Sequence, residues 1–320
     1  MSLYAKMTTN DAASFLGVTA QAVHKNLKAK NLESFKSQNR VFFGHETSKI
    51  LFDINFKKKI VSFQVVKGGT GKTSLTHSFA IRANLYGCKV LCIDLDQQGN
   101  LTQAFSVDAN NAPVMIDILK GQVEPKEAIV NISPGLDLIP SRIENATLDN
   151  LIMLEKYSLD KVYGDILKKL ATSYDLIVID CPPALGQSVA AATLASDLIV
   201  SPLTPEQFSI SGMKVTYEEI TSLNRKFGKS ISVKVVVNKF DSRTALSNEV
   251  LRSILNHDVF KTLLCKTIIR SSQDFPNAIY GGTNIFSNLK VTPAKEDIDL
   301  LTREILEIEN LENELAAVNG

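Results

Sequence analysis

The chain has 320 residues, 44% of them hydrophobic and 22% charged, with a net charge of +1. That length allows a sizeable core in one large domain, or in a large and a small one, and the balance excludes a global basic field of the kind that marks a nucleic-acid binder. No apolar run is long enough to span a bilayer, and residues 1–10 lack the charged and apolar regions of a signal peptide. Cys88, Cys92, Cys181 and Cys265 form no C-x-x-C pair and no zinc pattern, and read as small core residues in a reducing cytosol.

Charge is unevenly placed. Residues 1–59 carry ten Lys/Arg against four Asp/Glu, a balance of +6 that leaves −5 for the remainder, so a basic head meeting a polyanion is expected. Residues 8–30, TTNDAASFLGVTAQAVHKNLKAK, predict two short helices on either side of Gly17-Val18, capped by Asn10 or Asp11 and by Thr19. Ala12, Leu16, Val18, Val23 and Leu27 form a small apolar seam. Short helix, glycine turn, second helix is the helix-turn-helix pattern. Its second helix would expose Gln21, His24, Lys25 and Lys28; glutamine can read adenine, and lysines mostly meet phosphate. Residues 39–52, NRVFFGHETSKILF, predict a β-turn wing with a helix behind it, and the whole stretch resembles the winged helix-turn-helix of MerR-type regulators. The alternative is a three-helix cap with solvated lysines. Lys57-Lys58-Lys59 sets the expected boundary between a DNA-binding head, 1–57, and a nucleotide-binding body, 58–320.

From Ile60 the pattern alternates. Strands are predicted at Ile60–Val66, Lys89–Ile93, Leu136–Ile139, Leu176–Ile179, Leu198–Ser201 and Val233–Val237. Helices are predicted at Thr73–Leu85, Tyr157–Ala171, Ser209–Phe227 and Ala245–His257. Apolar strands alternating with helices mean an α/β fold with a doubly wound parallel sheet covered on both faces, and ligands in such sheets sit past the carboxyl ends of the strands. A last helix is expected over Thr292–Ala317, opened by Pro293, with an apolar stripe of Leu300, Leu301, Ile305, Ile308 and Leu311. Its polar face is acidic, which favours packing on the body over lying on a membrane.

The stretch Val66–Ser74, VKGGTGKTS, joins the first of these strands to the first of these helices. Strand, glycine-rich turn and helix bring backbone N–H groups together on a phosphate. Gly68, Gly69 and Gly71 let the chain curl where a side chain would block the anion. Lys72 supplies charge for the β- and γ-phosphates and Thr73 a hydroxyl for Mg²⁺. The general phosphate-loop pattern wants glycine where Val66 stands, so this loop is a variant opened by Lys67. Asp94-Leu95-Asp96-Gln97-Gln98 follows the second strand, and Asp180 ends another before Cys181-Pro182-Pro183. A carboxylate after an apolar strand can hold Mg²⁺ through water, and Asp96 could orient the attacking water.

VKGGTGKT, DLDQQGN and the strand ending IDCPP, in this order, resemble the ParA/MinD family of deviant Walker ATPases over roughly residues 60–300. The likeness extends to SPLTPEQFSISGMK and VVVNKFD; Gln97 departs from the proline usual in the family's second motif. The resemblance implies ATP and Mg²⁺ as cofactors, with Lys67, Gly68, Gly69, Thr70, Gly71, Lys72, Thr73 and Ser74 on the nucleotide and Asn238 on adenine. It implies that Lys67 reaches the phosphates of a second subunit in an ATP-sandwich homodimer. Thr73 and Asp180 serve the metal, and Asp96 serves slow, partner-stimulated hydrolysis. With a helix-turn-helix head, the resemblance implies DNA segregation: non-specific DNA binding in the ATP state, operator binding through the head, a ParB-like adaptor, and a cytoplasmic, nucleoid-associated protein with no membrane partner. The matching C-terminal DNA stretch is KTIIRSSQDFPNA, where Asp274 replaces a frequent basic residue and Lys266 and Arg270 stand nearby. The main alternative is an ATP-switched, site-specific transcription regulator. A MinD-like membrane positioner is disfavoured by the acidic last helix, and a cluster-bearing reductase by the want of a second cysteine partnering Cys181.

Overall fold

Thr8 starts the first helix by capping it. The computed structural model describes residues 4–37, 39–206 and 209–308. In it, β1 (Met7–Thr8) runs into α1 (Thr9–Leu16), and the Thr8 hydroxyl accepts from the Asp11 N–H at 3.1 Å while the Asp11 carboxylate accepts from the Thr8 N–H at 3.2 Å. This reciprocal box makes Thr8 the cap and Asp11 its partner, correcting the expected cap at Asn10 or Asp11. Gly17 closes α1 at φ +64, the left-handed conformation glycine adopts at low cost. Thr19 caps α2 (Ala20–Ala29) as expected, accepting from the Ala22 N–H. β2 (Phe35–Ser37) and β3 (Arg40–Phe43) form an antiparallel hairpin, β1 pairs with the other edge of β3, and α3 (His45–Phe52) follows. The apolar seam differs at one place: Val18 is 43% exposed, and Phe15, at 1%, fills the core instead.

The body continues with β4 (Lys59–Phe63), α4 (Lys72–Leu85), β5 (Val90–Asp94), α5 (Asn100–Ala104), α6 (Met115–Leu119), β6 (Val130–Ser133), β7 (Leu136–Ile139), α7 (Leu148–Leu154), α8 (Leu159–Val162), α9 (Gly164–Leu170) and β8 (Leu176–Asp180). Then come α10 (Gln187–Leu194), β9 (Leu198–Leu203), α11 (Ser209–Phe227), β10 (Ser232–Val237), α12 (Ala245–Asn256), α13 (Phe260–Leu263), α14 (Asp274–Tyr280) and α15 (Pro293–Leu306). The expected helix over 157–171 is two pieces, broken at Tyr163, whose buried hydroxyl meets Ser188 Oγ at 2.8 Å. The strands form one sheet in the order β10-β9-β4-β8-β5-β7-β6, parallel throughout except for the antiparallel edge pair β6–β7. Strands such as β5 and β8 are buried at every position, as a sheet with helices on both faces requires. The register sets Asp180 at the end of β8 beside both Phe63 of β4 and Asp94 of β5.

α4 and α15 lie together. Ala294, Ile298, Leu301 and Ile305 are the buried apolar face of α15, while Leu300 is 52% exposed, so the buried stripe is rotated from the expected one. The expected continuation of this helix, including Leu311, lies outside the described residues. The far end of α4 is covered by the amino-terminal elements: Tyr86 packs against Phe15 at 4.7 Å and Phe52 at 5.8 Å between ring centroids. Met7, Phe15, Phe43 and Phe52 belong to the same buried cluster as Phe79, Leu85 and Leu301. Charge is balanced within this largely buried packing. Arg82, 3% exposed, donates from Nε to Asp299 at 2.6 Å, and Tyr86 and Arg303 close on the same carboxylate.

Candidate functional site: a phosphate loop at the carboxyl edge

β4 ends at Phe63 and α4 begins at Lys72, so residues 64–71 turn at the carboxyl edge of the sheet. Gly69 and Gly71 hold φ of +75 and +85. A Cβ on Gly71 would fall 2.4 Å from Asn238 Nδ2, so both conformation and space demand glycine there; Gly69 needs it for conformation alone. Gly68 has a negative-φ backbone and open space around it, so it is not required by the protein's own packing. No side chain caps α4, which leaves its first-turn N–H groups directed at whatever the loop encloses.

Lys72 is buried at 7% exposure, and burial holds its pKa below the usual lysine range against the opposing pull of Asp180. Thr73 Oγ1 donates to Asp180 Oδ2 at 2.6 Å, and Thr76 Oγ1 lies 3.1 Å from Asp180 Oδ1. Burial pushes the wholly buried Asp180 carboxyl up, and the Thr73 hydroxyl and the Lys72 charge pull it back down. Asp94, its neighbour across the sheet, is also pushed up, first by burial and then by Asp180. Asp94 is fully engaged by the fold, accepting from the Thr102 N–H (2.9 Å) and hydroxyl (2.7 Å) and from the Asp96 N–H (3.1 Å). Asp96 is 6% exposed, and its Oδ1 accepts from the Gln98 N–H at 3.0 Å. Cys181, next to Asp180, is buried, and burial pushes its thiol far up, which favours the protonated form.

Lys67 pairs with Glu206 of its own chain. Asn238 lies beneath the loop, its Nδ2 donating to the Thr70 carbonyl at 2.7 Å and its Oδ1 accepting from the Lys239 N–H. Lys239, not anticipated from the sequence, donates to the Gly69 carbonyl at 2.8 Å. A cavity of 590 Å³ opens beside the loop between Ser74 and Asn238 on one side and Ser271, Phe275, Ile279 and Tyr280 on the other. The stretch expected to face DNA therefore forms a cavity wall. Arg270 is held by Asp297 (2.6 Å) and Glu296 (3.2 Å), so its charge is locally neutralised; Lys266 is exposed. In the head, Gln21, Lys25 and Lys28 are exposed and His24 partly so, on the face of α2 opposite buried Val23 and Leu27.

The Thr73 hydroxyl in the first turn of α4 and the Asp180 carboxylate at the end of β8 are hard oxygen donors. Among the described residues no group of three or more His, Cys, Asp or Glu is placed to hold a metal alone. That fits an ion that draws its remaining oxygens from phosphate and water, as Mg²⁺ does.

Loop, buried lysine and the Thr73–Asp180 pair together define a P-loop nucleotide-binding α/β protein. The family model for an AAA domain matches residues 58–235. The cell division protein PomZ of Myxococcus xanthus is 30% identical over 75% of this chain and 75% of its own. The virulence-plasmid ParA family protein pGP5-D of Chlamydia psittaci is 31% identical over 77% of this chain and 94% of its own. The chain belongs to the ParA family of P-loop ATPases. Its fold is also that of Cyanothece McdA, solved as the ATP complex of a substituted variant, with a TM-score of 0.71, 22% identity, and coverage of 80% of this chain and 98% of McdA.

Proposed function

We propose that this is an ATP-dependent DNA partition protein in which two copies close on a pair of ATP molecules and the closed form binds DNA without sequence preference. The observation that carries the reading is the convergence of Lys72, Thr73 and Asp180 at the mouth of a loop whose extra lysine, Lys67, stands outside the curl. In this reading Lys72 and the loop N–H groups bind the phosphates of the chain's own nucleotide, and Lys67 exchanges Glu206 for the phosphates of the second subunit. Thr73 and Asp180 would hold Mg²⁺, which when bound neutralises charge on the β- and γ-phosphates. Asp96 orients the attacking water, and the side chains of the 590 Å³ cavity take the base and ribose. A ParB-like adaptor stimulates hydrolysis. Among the described residues no helix is long and apolar enough to cross a membrane, and the apolar face of α15 is already buried. In this reading the protein acts in the cytoplasm, associated with the nucleoid.

The amino-terminal helix, left-handed Gly17 and second helix, with the β2–β3 hairpin beside them, support a winged helix-turn-helix that reads an operator. The exposed face of α2 also favours the second reading, an ATP-switched site-specific regulator. Footprinting separates the two: ATP-dependent coating of random DNA that weakens steeply with salt supports partition, and protection of one operator alone supports the regulator. Lys72→Ala tests what both share. It should abolish ATP binding and ATP-dependent DNA association together, and DNA association that still responds to ATP would defeat the proposal.

A further inference from the structure

We propose that Asn238 and Lys239, at the exit of β10, are positioning residues that aim two anion-binding N–H groups of the phosphate loop. The inference rests on the reading above that this loop binds a polyphosphate. The chain contains no cis peptide among the described residues, and a trans peptide is planar with its C=O and N–H pointing in opposite directions. Lys239 Nζ holds the Gly69 carbonyl at 2.8 Å, so the Thr70 N–H of the same peptide is turned away from the β10 exit. Asn238 Nδ2 holds the Thr70 carbonyl at 2.7 Å, so the Gly71 N–H is turned the same way. Two successive carbonyls are thus pulled to one side and two successive donors are sent to the other, into the curl ahead of α4.

The loop needs such restraint. Around Gly68 and Gly69 nothing lies within 4 Å of an added Cβ, so no packing crowds these positions, and glycine has the widest choice of backbone angles. The two restraining residues are themselves fixed. Asn238 is 4% exposed, its N–H donates to the Leu203 carbonyl at 2.8 Å, and its Oδ1 accepts from the Lys239 N–H at 2.9 Å. Lys239 holds φ +55, a left-handed conformation unfavourable for a side chain other than glycine or asparagine, and it is in this conformation that its amine reaches Gly69. The next residue is anchored by the Phe240 N–H to the Ile269 carbonyl at 3.0 Å and by the Ser271 N–H to the Phe240 carbonyl at 2.8 Å. The strained backbone therefore has a chemical purpose at the loop and a rigid base behind it.

The test uses the full chain, with ATP and inorganic tripolyphosphate each competing against a fluorescent ATP analogue. Lys239→Met keeps the length and the backbone strain and removes the donor; Lys239→Arg restores a donor. Loss of a charged hydrogen bond predicts that Lys239→Met weakens ATP and tripolyphosphate by the same factor, about fivefold to tenfold, at low and high salt alike. Lys239→Arg should return most of that loss, and the melting temperatures of all three proteins should agree, because Lys239 is exposed. Undiminished binding by Lys239→Met would overturn the proposal. So would a loss confined to ATP, which marks contact with base or ribose, or a loss that vanishes at high salt, which marks direct charge attraction to the ligand. A wild-type chain that binds neither ligand would instead defeat the nucleotide reading on which the inference stands.

Discussion

Part of the acid destabilisation of this protein should come from one histidine, and replacing His77 should make the acid limb of the pH profile shallower. His77 lies on α4 at 2% exposure, with Nε2 3.4 Å from the Tyr4 hydroxyl and its ring 4.6 Å from the Phe105 ring in an edge-on contact. Burial lowers its pKa from 6.5 to about 4. The folded chain therefore keeps the imidazole neutral where the unfolded chain protonates it. The stability that this histidine contributes is full above about pH 6.5 and falls as the pH drops toward 4, because there the unfolded state binds the extra proton. A shift of about 2.5 units at ~1.4 kcal/mol per unit gives roughly 3 kcal/mol, a large share of the 5–15 kcal/mol typical of a domain. Urea unfolding followed by circular dichroism at pH 7.5, 6.5, 5.5 and 4.5 would measure it in the wild type and in His77→Phe. The variant has its own packing cost at neutral pH, so the slopes are compared, not the absolute values. The expected result is a variant whose stability falls less between pH 6.5 and 4.5 by about 2–3 kcal/mol. Equal slopes would refute the reasoning, since the lost proton-binding difference would then have no consequence.

Three further outcomes follow from particular contacts. Asp299→Asn leaves the Arg82 guanidinium buried without its carboxylate and should cost about 3–5 kcal/mol, read as a fall in melting temperature; a shift of under a degree would show that Tyr86 and Met7 suffice to hold Arg82. Gly71→Ala places a methyl 2.4 Å from Asn238 Nδ2 at φ +85, and nucleotide affinity should fall more than about tenfold while the global fold persists, with wild-type affinity by calorimetry counting against the assigned geometry. Asp96→Ala should bind ATP normally and hydrolyse it at least ~100-fold more slowly, and unchanged turnover would remove Asp96 from its role.

Most of the sheet was legible because burial on both faces forces long apolar runs, and such runs announce themselves. β8, LIVID, is an example: no polar residue interrupts it until the carboxylate that serves the site. The elements that escaped notice lack that signature. β6, VNIS, is a half-buried antiparallel edge with mixed composition, and β2, which pairs with the strand of the wing expected at 39–52, is three residues long and mostly solvated. The break between α8 and α9 was hidden because both pieces keep a helical period, and only the burial of Tyr163 against Ser188 fixes where the chain turns. The charge step at Lys57–Lys59 marks a change of surface, yet Met7, Phe15, Phe43 and Phe52 share one buried cluster with α4 and α15. Charge reports what faces water, and it carries no information about which side chains meet behind it.

The site divides along the same line. Lys72, Thr73 and Asp180 could be read because their chemistry depends on the order of residues around a strand and a helix, which sequence records directly. Lys239, Glu206 and the cavity wall at Phe275–Tyr280 depend on which loops the sheet order brings together: β10 is three strands' width from β8 but only β9 separates it from β4, so its exit meets the loop that β4 launches. The one available hint was a lysine placed at the carboxyl end of a parallel strand, immediately after Asn238, where ligands of such sheets gather. The same geometry explains why Arg270 could not be judged from its charge. It precedes α14 in sequence, but the packing of α15 sets Asp297 and Glu296 against it, and a guanidinium held by two carboxylates presents little net field to a polyanion.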